Sequence, residues 1–266
     1  MTTTSIWKKL GIVIAVGGIL SLVATKESVQ AEPLTVGAPP SMKAALQEIV
    51  PMFEDEYGES VKVVYSASPT LRRQVEKGAP IDVFLGASTE DVNILHDKNM
   101  TLYNGPQPYA ETSLVLVMSS QSYAMPISFN EAIPNQATIA LGHPRTSSLG
   151  EVTYQALADL SPVHKKQGKF IHAKHAEDIM NLIHTGKAEM GIVYRSDAIS
   201  NGKVYIVDEE PTGTHVPVQL GQAIVSTCRE ASLPVAKKFF DYMLSARIQK
   251  LMLKYGFDSV SPNQLS

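Results

Sequence analysis

Four places in the chain bring a strand-like stretch to a helix-like one through small or hydroxyl residues, and each could present hydrogen-bond donors to a ligand. In "TVGAPPSMKAAL" the residue is Ser41, and in "YSASPTLRRQ" it is Ser68, with Pro69 suited to a first helical position. In "GHPRTSSLGEVTYQAL" it is the turn through Ser148, Leu149 and Gly150, and in "HAKHAEDIMNL" the turn around Ala176. A helix start leaves backbone N–H groups unpaired and carries partial positive charge, so several starts converging on one cleft would hold an anion. Serine also caps helices as a matter of routine. Only convergence separates the two roles, and spacing along the chain does not reveal it.

The charged candidates for holding an oxyanion are Arg72 and Arg73, beside Ser68, and Arg145 in "GHPRTSS". On helical period Leu71 and Val75 face a core, which leaves at least one of the paired arginines to solvent. Tyr194 closes the strand "GIVY"; its hydroxyl could serve a ligand or be the wet tip of a half-buried side chain. His172 and His175, in "HAKH", lack further residues at metal-ligand spacing. The sequence has no Gly-x-Ser-x-Gly elbow, phosphate-binding loop or Cys-x-x-Cys pair. It therefore predicts a binding protein, neither an enzyme nor the holder of a cofactor.

The elements that would position these residues alternate. Strands are expected at 34–38, 61–66, 82–87, 113–119, 138–142, 191–194 and 204–208, and helices at 41–57, 69–78, 89–98, 149–160, 176–186 and 195–200, with a pair at 232–255. Such alternation predicts an α/β protein with mainly parallel sheets flanked by helices. "YNGPQPYAETS" and "EEPTGTHVPVQLGQ" read as extended crossings between two lobes. The expected division is residues 32–111 with 223–266 in the first lobe and 112–222 in the second, with the ligand cleft between them. Pro51 predicts a kink or a restart in the first helix.

Lys8 and Lys9 precede an apolar run from Leu10 to about Ala24, which is shorter than the ~20 residues a span needs. The pattern predicts a cleaved export signal, residues 1–31, and a periplasmic protein. The formal net charge of -3, with signs interspersed, argues against a nucleic-acid partner. Cys228 is the only cysteine, so no disulfide can form within the chain.

Several longer stretches carry a resemblance. "TVGAPPSMKAALQEI", "SASPTLRRQVEKGAPIDVFLGAS", "SLVLVMSS", "LGHPRTSSLGEVTYQAL", "KAEMGIVYRSDA" and "FFDYMLSARIQKLMLKYGF" occur in this order. Together they resemble the periplasmic molybdate-binding proteins of ABC-type molybdate importers. That resemblance implies a two-lobed, type II-like binding-protein fold, a monomer that closes on molybdate or tungstate, and an ABC permease as partner. It implies that neutral donors hold the oxyanion: the hydroxyls of Ser41, Ser68 and Tyr194, and the amides of Leu149 and of Ala176, or of Ile179 if a short gap intervenes. Sulfate, thiosulfate or another tetrahedral oxyanion on the same fold is the alternative. This chain departs from the family pattern at Pro39 and Pro40, where alanines are common, and at Pro69, which has no N–H to offer.

Overall fold

The computed structural model describes residues 32–120, 137–160, 169–209 and 218–260. The expected export signal, residues 1–31, lies outside them. Runs rich in Val, Ile and Leu become strands: β1 (Leu34–Ala38), β2 (Val61–Tyr65), β3 (Val83–Leu85), β4 (Thr101–Thr112) and β5 (Leu114–Ser119). After them come β6 (Thr138–Gly142), β7 (Lys169–Ala173), β8 (Met190–Tyr194), β9 (Val204–Glu209) and β10 (Val218–Val225). Segments of helical period become α1 (Lys43–Tyr57), α2 (Ser68–Glu76), α3 (Glu90–Asp97), α4 (Ser148–Leu160), α5 (Ala176–His184), α6 (Arg195–Asn201), α7 (Leu233–Met243) and α8 (Ala246–Leu253).

The strands form two sheets, ordered β2-β1-β3-β10-β4 and β7-β6-β8-β5-β9. Each is mixed. In the first, β2, β1 and β3 pair in parallel while β10 runs antiparallel to both β3 and β4. In the second, β7, β6 and β8 are parallel and β5 runs antiparallel to both β8 and β9. The reversed strand in each is the one that enters from the other sheet. The expectation of mainly parallel sheets thus describes the strand directions but not every pairing.

Each sheet has its own apolar core. Around the first, α1 contributes Leu46, Ile49 and Phe53 at helical spacing, and α7 contributes Phe239, Phe240 and Met243. Around the second, Leu114 to Val117 of β5 and Ile192 and Val193 of β8 pack with Ile179 and Ile183 of α5. β5 and β8 are buried along nearly their whole length, which is why they read as continuous apolar runs.

Three strands were not anticipated. β4 carries Gly105, Pro106 and Pro108, which read as a crossing; it lies at a sheet edge, where proline costs no central ladder bond, and its pairing with β10 is irregular. β10 has the same turn-like flank, and the expected boundary between residues 222 and 223 falls inside it. β7 is a partly exposed edge strand with Lys169 and His172 in its five residues, so its apolar signal is weak. Pro51 is another difference. α1 runs from Lys43 to Tyr57 without a restart, because Pro51 lies on the exposed side, where the carbonyl it deprives of a donor is open to water.

Candidate functional site

One cavity of about 300 Å³ is lined by Ser41, Ser68, Leu149, Ala176 and Tyr194 together. Ser41 follows β1 in a 3-10 turn (Pro40–Met42), and Ser68 opens α2 after β2. Leu149 sits at the start of α4 after β6, Ala176 opens α5 after β7, and Tyr194 ends β8. The cavity therefore lies between the two sheets, at the carboxyl ends of their parallel strands, where open α/β sheets place ligands.

The hydroxyls are not engaged as helix caps. Ser41 Oγ and Tyr194 OH are buried and have no hydrogen-bond partner among the described residues. Such an orphan costs on the order of 1–3 kcal/mol unless something else satisfies it. Of the other orphaned side-chain atoms among the described residues, on Ser88, Ser196, Gln222 and Tyr242, none belongs to a residue lining this cavity. Ser68 Oγ accepts the Ala87 N–H at 2.9 Å, which leaves its own proton free to donate. Burial, and after it the negative charges of Asp197, Asp91 and Glu151, hold the Tyr194 phenol far above its ordinary range, so it keeps its proton.

The backbone supplies two further donors. Neither Leu149 nor Ala176 gives its N–H to another described residue, as expected in a first helical turn. The N–H of Ile179 is already bonded to the His175 carbonyl at 3.2 Å and Ile179 does not line the cavity, so of the two expected positions Ala176 is the one with a free amide on the cavity wall. At the other wall the amides after Pro69 are taken: Thr70 and Leu71 both donate to the Ala67 carbonyl, at 2.8 and 3.0 Å. Ser68 and the preceding Ala67 therefore represent this helix start in the cavity.

Close backbone packing sets the Leu149 amide. A Cβ on Gly150 would lie 2.5 Å from the Gly142 and His143 backbone, so α4 rests directly on the end of β6. Ser147 is the residue that caps α4, its Oγ accepting the Gly150 N–H at 3.4 Å. Ser148 Oγ turns away and donates to Asp91 Oδ2 on α3, at 3.0 Å.

None of the three arginines lines the cavity. Arg72 donates to Asp91 Oδ1 at 2.8 Å and to Glu76 Oε1 at 2.6 Å, Arg73 donates to Thr70, and Arg145 is exposed. His172 bonds Tyr154 OH at 2.8 Å and stacks on that ring, while His175 lines the cavity. Among the described residues no group of three His, Cys, Asp or Glu is placed to hold a metal ion.

Sequence reasoning passed over other wall residues. Lys43, Lys174 and Glu177 are exposed, and Asp197, on α6, is half-buried. Asp197 follows Tyr194 by one helical turn, a spacing visible in "YRSDA" that would have flagged it.

The described architecture has recognisable relatives. A profile of the family described as bacterial extracellular solute-binding protein matches residues 34–258, from β1 to beyond α8. The chain belongs to this family. Among individual relatives, the putative ABC transporter substrate-binding lipoprotein YvgL of Bacillus subtilis is 28% identical over 243 residues, 91% of this chain and 92% of that one. The molybdate-binding protein ModA of Escherichia coli is 28% identical over 229 residues, covering 84% of this chain and 88% of ModA. The substrate-binding domain of a putative molybdenum ABC transporter from Clostridium difficile superposes with a TM-score of 0.69 at 25% identity, over 86% of this chain and 99% of that one. The sulfate-binding protein SubI of Mycobacterium tuberculosis shares the fold, with a TM-score of 0.72 at 16% identity over 88% of each chain. As a member of the solute-binding family, the chain has the two-lobed α/β fold of the periplasmic binding proteins, with its cavity in the cleft.

Proposed function

We propose that the chain binds molybdate, and tungstate with it, in the periplasm and delivers the oxyanion to an ABC-type permease. It acts as a monomer, residues 1–31 being its export signal, and closes its lobes by hinge motion. The observation that carries this reading is the pair of buried, unpartnered hydroxyls of Ser41 and Tyr194 on a cavity that also holds Ser68 and the free amides of Leu149 and Ala176. Five donors and no arginine suit an oxyanion that is fully deprotonated and recognised by shape. Relatives named for molybdate support the choice of anion. Discrimination against sulfate would rest on size, because donors set for a larger tetrahedron leave the smaller ion's bonds overlong.

Calorimetric titration of the chain with molybdate, tungstate, sulfate, thiosulfate and phosphate tests this. Molybdate and tungstate should bind at least about a hundredfold more tightly than sulfate, a difference of about 2.7 kcal/mol. Preferential binding of sulfate or thiosulfate would overturn the choice of cargo. A ligand-bound crystal with anomalous scattering from the metal would test the five contacts directly.

A further inference from the structure

The five donors share their cavity with an acid. Asp197, on α6, lines the same space, and its carboxylate makes no hydrogen bond or ion pair with any described residue. The 3-10 turn that carries Ser41 packs against α6, and Asp197 is the first charge felt by the Tyr194 hydroxyl. A charged carboxylate there would repel the ligand that the donors are arranged to hold.

We propose that Asp197 is the proton-carrying residue of the anion site: it is neutral in the complex and donates its hydrogen to one oxygen of the bound dianion. The inference rests on the oxyanion reading above. It makes binding proton-coupled. When Asp197 starts ionised, one proton is taken from the buffer for each anion bound, and the carboxyl O–H is the only bond formed.

The surroundings favour the neutral form. Of the elements packed against α6, β5 and the 3-10 turn bring no charge, β8 brings the protonated Tyr194, and β9 brings Asp208 and Glu209. Glu209 is engaged by Arg195 at 3.5 Å and by Ser113 Oγ. The cavity is also lined by Lys43, Lys174, His175 and Glu177, of which the two lysines and Glu177 are exposed. No cation is paired with Asp197, and loss of water pushes its carboxyl up to about 7. A bound dianion would raise it further, since like charge disfavours ionisation.

The test is calorimetric titration of the chain and of Asp197→Asn with sodium molybdate between pH 6 and pH 9, in buffers of different ionisation enthalpy. The parent affinity should be level below about pH 7 and fall about tenfold per unit above it, with about one proton taken up. Asp197→Asn should show a level profile, no proton uptake, and about tenfold or more tighter binding than the parent at pH 9. An acid that merely stabilised the first turn of α6 would alter unfolding and leave these profiles alike. Tight molybdate binding with identical level profiles overturns the role of Asp197 and leaves the oxyanion reading standing. Absence of molybdate binding in the parent at every pH overturns both. Selective binding of phosphate, lost in Asp197→Asn, would make Asp197 a charged acceptor for a protonated anion and overturn its neutral assignment.

Discussion

Ser148 Oγ donates to Asp91 Oδ2 at 3.0 Å, and the two residues belong to helices on different sheets. Asp91 is fixed in turn by Arg72, so the bond ties the start of α4, one residue before the Leu149 amide, to the opposite wall of the cleft. Ser148→Ala removes a hydrogen bond to a charged group that exists only when the walls meet. Anion binding should weaken by about 1.5–3 kcal/mol, mainly through faster dissociation, which stopped-flow displacement would measure. An unchanged dissociation rate would mean that this bond does not hold the closed form.

The two cavity serines should behave differently. Ser41 Oγ has no partner among the described residues, so Ser41→Ala should weaken molybdate binding by about 1–3 kcal/mol and leave the unliganded fold as stable as before. Ser68 Oγ also holds the Ala87 amide, so Ser68→Ala should cost about 1–3 kcal/mol of unliganded stability as well. Urea unfolding with and without molybdate separates the two cases. Equal unliganded stability in both variants would contradict this division.

Gly150 should tolerate no side chain. An added methyl would meet the backbone of Gly142 and His143 at 2.5 Å, and backbone cannot step aside as a flexible side chain does. Gly150→Ala is expected to destabilise by about 1–3 kcal/mol or more and to displace the Leu149 amide. Calorimetry should then find molybdate affinity reduced beyond what the stability loss explains. Parent-like affinity would show that the Leu149 amide is not a contact.

Asp82 and Arg229 give a pH-dependent stability remote from the cavity. Asp82 is fully buried; desolvation pushes its carboxyl up, but bonds from the Arg229 side chain, the Thr35 N–H and the Arg229 N–H outweigh this and hold it below its usual value. The group is more acidic folded than unfolded, so its contribution is present above about pH 4 and lost as pH falls through the folded value. Asp82→Asn should therefore cost about 3 kcal/mol at pH 7, with the gap to the parent narrowing below about pH 4. Urea melts at both pH values decide it. A gap that stayed constant would exclude the ionised pair as its source.

How much of this was legible in the sequence depended on what each residue's neighbours were. The strands β1, β5, β6 and β8 announce themselves because both faces are buried and their residues are nearly all apolar. The edge strands β4 and β7 do not, because half their residues meet water and, in β4, prolines stand where no central ladder would allow them. Ser41, Ser68 and Tyr194 could be nominated by type and by resemblance. That Ser68 takes the Ala87 N–H, and that Arg72 turns to Asp91, depend on contacts 19 residues apart, which periodicity does not encode. Asp197 was in plain view in "YRSDA", but the role proposed for it rests on its having no partner among the described residues, and a sequence has no means of writing that down.

β10 stands between β3 and β4 in the first sheet, yet residues 218–225 follow every strand of the second. On a ribosome the lobe begun first is thus the lobe finished last, and β4 waits for β10, its one strand neighbour in the described sheet, until more than a hundred further residues have emerged. A nascent chain stopped just before β10 already owns all five of the cavity's donors but not the completed sheet behind Ser41 and Ser68. On the oxyanion reading, anion capture is therefore expected only from chains that have been translated through β10.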